Sequence, residues 1–350
     1  MPQAHLFVEV SSSAVWFVRL FGLHDNSFAG LAGSLAKTAI APMDRVKIMY
    51  QVSFHKPFSF RGAFQEGLQI VRREGWTKLW RGHTATLLRV APYSGSQFMT
   101  YDALKHRIQR KRSTDGVGAE VVLTPFEKMT CGATAGAVSV AITYPLDIAR
   151  ARLAVQVPGR EVYTGLVHAL RTMWSQGGLP SLYRGLVPTM LGIIPYSGLS
   201  FFSYHQLQQM VAARYPHTAR LDPHTGRVEV KGGYKAACGA VAGLIGQSAA
   251  YPMEISRRVI QTWGFMAATS STAHKTPEGS VAHVRHGRAH SKGGVVPSWH
   301  QVMREVWQHH GGRQGLFKGL AMNWIKGPIA TSISFVGFDV LKSALRQPHA

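Results

Sequence analysis

One short pattern recurs three times along this chain, and it constrains the possible fold more than any other feature. The pattern is a proline, an acidic residue two positions later and a basic residue five positions later. A stretch of eight residues that begins and ends with glycine follows each copy. The proline patterns lie at 42–47, 145–150 and 252–257, and the glycine-bounded stretches at 75–82, 178–185 and 312–319. Self-similarity at a nearly constant period indicates a molecule built from repeated structural units.

Each repeat is predicted to contain two long helices. In repeat two the first helix opens with Gly132 and Gly136, and small residues let membrane helices approach closely. The stretch 131–148 is nearly all apolar up to its proline pattern and is long enough to cross a bilayer. A polar link, a short amphipathic helix and a second spanning helix follow each proline pattern. The sequence therefore predicts an all-α membrane protein, with six transmembrane helices in three pseudo-symmetric repeats around a central cavity.

The predicted divisions follow the repeats and leave two segments outside them. A run of Gly, Ser, His and Arg without apolar periodicity lengthens repeat three and is expected to be disordered. The divisions are an N-terminal arm at 1–26, repeat one at 27–112, repeat two at 126–213, and repeat three at 231–346 with the disordered insert at 267–297.

The charges of the proline pattern predict a ring of ion pairs. A proline inside a spanning helix kinks it, and charged side chains at membrane depth are costly unless they are paired. Three first helices that each carry an acid and a base at the same height can satisfy this requirement together, because the acid of one repeat meets the base of another. The predicted pairs are Asp44 with Arg150, Asp147 with Arg257, and Glu254 with Lys47. Such a ring would close one end of the central cavity.

The charge balance narrows the partners. With 39 Lys and Arg against 17 Asp and Glu, the chain carries a net charge of +22 and favours a phosphate-rich partner. Since 45% of the residues are hydrophobic and only 16% charged, a soluble nucleic-acid binder is disfavoured. We therefore expect a small-molecule anion and anionic membrane lipid as partners, with no nucleic acid. The two cysteines, Cys131 and Cys238, occupy equivalent places in two repeats, so neither a disulfide nor a zinc site is expected, and no other metal or cofactor is predicted.

Cavity positions that differ between the repeats are the candidates for recognising an asymmetric substrate. Lys37, Arg89 and Lys326 are three such cations, and the sequence offers no evident acidic partner for them. Arg and Lys are the donors that phosphate prefers. Gly192 stands in repeat two where the other repeats have Arg89 and Lys326, and it leaves space for a planar base against Ile193. The alternative is that these cations pair with lipid phosphate or with neighbouring side chains.

The three motifs together resemble the mitochondrial carrier family, over about residues 27–346. The resemblance implies a multi-pass protein of the inner mitochondrial membrane that works as a monomeric transporter, not an enzyme. It also implies that the ring gates the matrix side, where the short amphipathic helices lie. Glutamines nine residues after the proline brace the ring in this family; Gln51 and Gln261 match, whereas Ala154 stands at the third position.

The same resemblance implies a second gate on the cytosolic side, made by an aromatic residue, an acid and a lysine in each repeat. Repeat two departs from this pattern with Tyr204, His205 and Gln208, which predicts a weaker cytosolic gate. The matching residues are Tyr101, Asp102 and Lys105 in repeat one, and Phe338, Asp339 and Lys342 in repeat three.

The substrate implied by the resemblance is a nucleotide-like anion. In the family, the level of Arg89, Gly192 and Lys326 contacts substrate, and a Gly-Ile pair there is typical of carriers of adenine-nucleotide-like molecules. The stretches 144–147, 195–202, 243–252 and 320–328 resemble carriers of coenzyme A. The expected function is antiport by alternating access, with import of coenzyme A (or dephospho-coenzyme A) in exchange for adenine nucleotides. A carrier for another adenine nucleotide or phosphorylated cofactor, or a carrier-like scaffold that does not transport, remains an alternative.

Overall fold

The computed structural model describes residues 26–52, 58–114, 123–156, 161–221, 228–230, 232–263, 265, 296–309 and 311–346. The N-terminal arm, except for its last residue, therefore lies outside the described residues. So does the insert expected at 267–297, apart from its last two positions.

Helices dominate the described residues, and six of them are 27 to 32 residues long. Each repeat has the predicted order of long helix, short helix or helices, and long helix. The helices are α1 (Asn26–Val52), α2 (Phe60–Glu74), α3 (His83–Thr114), α4 (Pro125–Ala154), α5 (Leu166–Leu182), α6 (Leu186–Arg214), α7 (Gly232–Thr262), α8 (Trp299–His309), α9 (Arg313–Leu316) and α10 (Leu320–Arg346). Two short 3₁₀ helices, Trp76–Trp80 and Pro216–Thr218, complete them.

One element departs from the all-α expectation. A hairpin between repeats two and three pairs β1 (Ala219–Leu221) antiparallel with β2 (Val228–Val230), with Ala219 opposite Val230. Val230 is buried, and β2 packs against α6. The hairpin therefore folds the connection between the repeats back onto the bundle, which hydrophobic periodicity in the repeats could not reveal.

The six long helices form a closed circle. The second long helix of each repeat packs along the first helix of the next, so that α3 lies on α4, α6 on α7, and α10 on α1. We call these contacts the first, second and third seams. The first helices α1, α4 and α7 also touch one another. This convergence occurs at the end of the bundle that carries the proline patterns, which we call the ring end.

The apolar core is concentrated at the ring end. Three clusters of buried side chains lie there, formed around Ile148 and Met173, around Ile255 and Val302, and around Val46 and Ile70. Each cluster joins the last turns of a first helix to the short helix that follows in the same repeat. The apolar faces of the amphipathic helices are thus used to hold the converging helices together.

By length and hydropathy alone, two of the described helices qualify as membrane spans. They are Phe126–Ala154 and Leu186–Arg214, with mean hydropathies of 1.2 and 1.3. The sequence predicted six spans. Repeats one and three place charged side chains such as Lys37, Arg89 and Lys326 on a cavity described below, and these lower the average hydropathy of their helices.

Three glycines let the seams close. Gly82, Gly185 and Gly319 end the glycine-bounded stretches with φ of +83°, +88° and +83°, a left-handed conformation that side chains disfavour. Each packs against the first helix of the following repeat in the circle. A Cβ on Gly185 would lie 3.2 Å from the carbonyl oxygen of Arg257 and 2.8 Å from Tyr144 Oη. The repetition of this glycine therefore has a packing reason as well as a conformational one.

Replacement of Gly185 by alanine is expected to destabilise the fold by about 2–4 kcal/mol, because left-handed strain and overpacking add. Gly311→Ala is the matched control. Gly311 has a similar φ of +80°, but its nearest neighbour is Gln314 Cβ at an ordinary 3.8 Å. Thermal unfolding of both variants in detergent measures the difference, and equal losses would contradict the packing explanation.

Candidate functional site

The structure forms all three ion pairs that the proline patterns predict. Lys47 Nζ lies 2.6 Å from Glu254 Oε1, and Arg257 Nη2 lies 2.7 Å from Asp147 Oδ2. Arg150 Nη2 contacts Asp44 Oδ2. Each pair joins the first helices of two different repeats, so the three pairs tie α1, α4 and α7 into a ring across the bundle. That these six residues act as a gate stays a prediction.

Two further cations join the ring, and they correct the expectation that Arg89 and Lys326 have no acidic partner. Arg89 Nη1 lies 2.8 Å from Asp147 Oδ1, and Lys326 Nζ lies 2.7 Å from Asp44 Oδ1. The physical reason is the circular packing. Since α3 lies on α4 and α10 on α1, a cation on the second helix of one repeat reaches the acid of the next. Spacing within one helix gave no information about this relative height.

A cavity of about 660 Å³ extends from the ring away from the ring end. Its walls come from α1, α3 and α10, with Arg150 of α4 at its base. Among the described residues that line it are four cations and one carboxylate: Lys37, Arg89, Arg150, Lys326 and Asp44. Hydroxyl side chains also line it: Thr86, Tyr93, Ser94, Thr331 and Ser334. The described residues contain no group of three or more metal-ligating side chains.

For Lys37, unlike Arg89 and Lys326, the prediction of a cavity cation without an acidic partner agrees with the described contacts. This lysine makes no ion pair with any described residue, and it lies near the guanidinium groups of Arg89 and Arg150. The hydroxyl of the neighbouring Thr38 donates a hydrogen bond to the backbone carbonyl of Ser34 and lies 2.9 Å from His83 Nε2. A lysine among like charges favours a bound anion more strongly than a paired lysine does.

The predicted base pocket at Gly192 and Ile193 is not part of this cavity. Neither residue lines it. A Cβ on Gly192 would lie 3.3 Å from the Cβ of Met253, so this glycine allows close approach of α6 and α7. This cavity thus brings together three of the five predicted substrate-binding residues, and a substrate role for Gly192 and Ile193 stays a prediction.

The two glutamines reach the ring through tyrosines that sequence reasoning missed. Gln51 Nε2 donates to Tyr251 Oη at 3.1 Å and to Glu254 Oε1 at 3.3 Å. Gln261 Nε2 donates to Tyr144 Oη at 3.0 Å. The tyrosines precede the prolines of repeats two and three, and each lies against a ring cation. Tyr144 lies against Arg257, and Tyr251 lies against Lys47. The Tyr-Pro dipeptide in these two repeats was the sequence signal that could have identified them.

Each of these tyrosines also fastens the loop of its own repeat. Tyr144 Oη donates to the carbonyl of Arg184 at 2.9 Å, and Tyr251 Oη donates to that of Lys318 at 2.6 Å. Their rings stack on Tyr183 and Phe317, respectively. A single hydroxyl therefore connects the glutamine of one repeat with the glycine-bounded loop of another, at the second and third seams.

A different arrangement holds the first seam, where Ala154 replaces the glutamine and Ala41 the tyrosine. Here buried Arg45 links repeats one and two. Its Nε donates to the carbonyl of Ala154 at 3.1 Å, and its Nη2 lies 3.0 Å from Glu74 Oε2. The absence of a glutamine in repeat two is thus matched by the absence of its tyrosine partner in repeat one.

Lys318 is a buried lysine at the third seam. It lies between α9 and α10, with its Nζ 5.7 Å from the ring centre of Tyr50. Burial lowers the pKa of its ammonium group to about 8, from an ordinary value of 10.5. Between these two values the unfolded chain binds more protons than the folded chain, so this group makes the fold more stable as the pH rises through that window.

The residues of the expected cytosolic gate do not form ion pairs in the part that the structure describes. Asp102 is exposed, Tyr101 and Lys105 are half-buried, and none of them pairs with a described charge. Phe338 lies in α10, whereas the side chains of Asp339 and Lys342 lie outside the described residues. Whether these residues form a gate therefore stays a prediction.

Comparison with known families identifies the architecture. A family model described as mitochondrial carrier protein matches three successive segments of the chain, residues 21–112, 121–215 and 229–349. The chain belongs to the mitochondrial carrier family. Membership in this family implies an all-α, six-helix membrane fold and indicates a transporter of small molecules in a mitochondrial membrane.

Similar relatives within the mitochondrial carrier family cover most of the chain. The mitochondrial coenzyme A transporter of Xenopus tropicalis is 38% identical over 317 residues, which are 91% of this chain and 84% of the relative. The mitochondrial coenzyme A transporter of Homo sapiens is 39% identical over 316 residues, or 90% and 86%. Solute carrier family 25 member 16 of Bos taurus is 33% identical over 323 residues, or 89% and 86%.

Removal of one tyrosine hydroxyl is expected to weaken the third seam of this carrier. Tyr251→Phe leaves the carbonyl of Lys318 without its partner and the amide of Gln51 with one of its two acceptors, Glu254, at a cost of about 1–3 kcal/mol. Tyr183→Phe is the control, because the Tyr183 hydroxyl makes no hydrogen bond to a described residue. The melting temperatures of the two variants in detergent are the measurement; a Tyr251→Phe protein as stable as the control would show that this hydroxyl contributes nothing.

Proposed function

We propose that this carrier is an antiporter of the inner mitochondrial membrane that imports coenzyme A, or dephospho-coenzyme A, in exchange for adenine nucleotides. The observation that carries the proposal is the cavity. Four cations line it against one carboxylate, and one of the four, Lys37, has no ion pair within the described residues. A volume of about 660 Å³ is in the range of pockets that hold ligands of this size. The names of the similar transporters support coenzyme A as the cargo.

The cargo is expected to bind by its phosphate groups. Arg89 has a planar guanidinium that can bind phosphate through two parallel hydrogen bonds, whereas Lys37 and Lys326 act as compact charges. The Arg89 guanidinium also lies 4.9 Å from the ring centre of Tyr93, which fixes its plane at the cavity wall. Hydroxyls such as Ser94 and Ser334 are available for the uncharged part of the cargo.

The ring of ion pairs supplies the gate in this proposal. With the ring formed, α1, α4 and α7 are held together and the cavity is closed towards the ring end, which is the matrix side in this proposal. Passage of the cargo requires these pairs to break, and alternating access follows when the opposite end then closes. A ligand can drive this change only by binding the open-ring state better than the closed-ring state.

Exchange in liposomes tests the proposed cargo. Protein reconstituted into liposomes loaded with ADP is expected to take up coenzyme A, and empty liposomes are expected to take up much less. Dephospho-coenzyme A, ATP and a dicarboxylate serve as competing substrates. Uptake of only the dicarboxylate would contradict the proposal.

Arg89→Ala in the same assay is expected to abolish uptake, and Arg89→Lys to retain part of it, since a point charge replaces a two-pronged donor. Thermal unfolding of both variants shows whether they remain folded. Wild-type exchange by folded Arg89→Ala would exclude this residue from the substrate site.

A charge swap tests the gate, and the structure indicates which pair to use. Lys47→Glu or Glu254→Lys alone leaves two like charges facing each other, and loss of a partly buried pair costs about 3–5 kcal/mol. The double variant re-forms the pair and is expected to recover part of the exchange. At Asp147 and Arg257 the same swap is expected to recover less, because an arginine at position 147 would face Arg89.

The liposome exchange rate of each double variant, relative to its single variants, is the measurement. If the folded double variant of Lys47 and Glu254 has an exchange rate no higher than that of either single variant, this pair is not part of the gate.

A further inference from the structure

The three ring carboxylates are not equivalent. Asp147 accepts from Arg257 of the ring at 2.7 Å and from Arg89 of the cavity at 2.8 Å. Asp44 likewise pairs with Arg150 of the ring and with Lys326 of the cavity. Among the residues that the structure describes, Glu254 pairs with Lys47 alone, and its other side-chain contacts there are the amides of Gln51 and Asn323. Two carboxylates are therefore shared between the ring and the cavity, and the third is not.

The circular packing explains this difference. The second helix of repeat one carries Arg89 to the acid of repeat two, and the second helix of repeat three carries Lys326 to the acid of repeat one. By the same rule, position 192 of repeat two would face Glu254 of repeat three. That position is Gly192, which has no side chain to offer. Because position 192 carries no cation, Glu254 lacks the second ion pair that Asp44 and Asp147 have.

The shared cations are more exposed to the cavity than their carboxylate partners are. The side chains of Arg89 and Lys326 are 26% and 29% exposed and line the cavity. The side chains of Asp147 and Asp44 are 5% and 13% exposed. An anion that enters the cavity therefore reaches the two cations directly and must compete with the carboxylates for them. Lys47 is buried and does not line the cavity, so the third pair is outside this competition.

We propose that Arg89 and Lys326 are exchanged between gate and cargo, so that an anionic cargo loosens two of the three ring carboxylates directly and leaves the Lys47–Glu254 pair to be broken by helix movement. The inference rests on the proposed anion exchange and specifies how the same site opens. In the closed ring, cargo binding carries the cost of freeing both cations from Asp147 and Asp44. In the open ring this cost is absent. Any ligand-driven opening requires a difference in affinity between the two states. In this proposal the difference comes from the Arg89–Asp147 and Lys326–Asp44 contacts.

Equilibrium binding to the full-length protein in detergent tests the idea without transport. The dissociation constant for coenzyme A is measured by calorimetry for wild type and for three variants: Asp147→Asn, Asp44→Asn and Glu254→Gln. Each variant removes one unit of negative charge and one ring pair, so the change in net charge and the weakening of the gate are matched. Asp44 lines the cavity, whereas Asp147 and Glu254 do not, so Asp147→Asn against Glu254→Gln is the decisive comparison. Only the two aspartate variants also free a cavity cation. They are expected to bind coenzyme A on the order of tenfold more tightly than Glu254→Gln, the change that corresponds to the loss of one modest competing interaction.

The outcomes separate this inference from the proposed function. Equal dissociation constants for the three variants, or tightest binding by Glu254→Gln, would overturn the inference while leaving coenzyme A as the cargo. Failure of wild type to bind coenzyme A or ADP would overturn the proposed function, and this inference with it. Asp147 and Asp44 lie on different helices, so if one asparagine variant does not fold, the other still gives the comparison with Glu254→Gln.

Discussion

The structure depends on the ion pairs that join the first helices of the three repeats. Six charged side chains at this depth are tolerable only when each has a partner, and the partner always belongs to another repeat. No single repeat can therefore satisfy its own charges. This requirement fixes the circular order of the helices, and it explains why the buried apolar clusters, the left-handed glycines and the tyrosine hydroxyls all lie at the same end. They hold the helices at the distance that the ion pairs need.

The sequence predicted these ion pairs correctly because the same charged pattern occurs in all three repeats. Acid and base recur at the same offset from proline, and pairing between equivalent positions follows from symmetry alone. The contacts of Arg89 with Asp147 and of Lys326 with Asp44 were not predictable in this way, since they depend on how far one helix is displaced along its neighbour. The contact of Gly192 with Met253 was not predictable for the same reason.

Departures from symmetry carry the information that is specific to this chain. At the first seam Ala41 and Ala154 together replace the tyrosine and glutamine of the other seams, and buried Arg45 contacts both Ala154 and Glu74 there. The missing glutamine was visible in the sequence, but its meaning was not, because its tyrosine partner belongs to a different repeat and the equivalents of Arg45 in the other repeats are Ile148 and Ile255. A deviation from a repeated motif is best interpreted together with its spatial partner.

The contact between Lys47 and Glu254 has a consequence for assembly. These residues belong to the first and last repeats, and more than half of the chain separates them. Repeats one and two together can form the Asp44–Arg150 pair, but they leave Lys47 and Asp147 without their ring partners. The third repeat supplies both of those partners, Glu254 and Arg257, on one helix. Completion of the ring therefore depends on the docking of a single helix, α7, between the other two first helices.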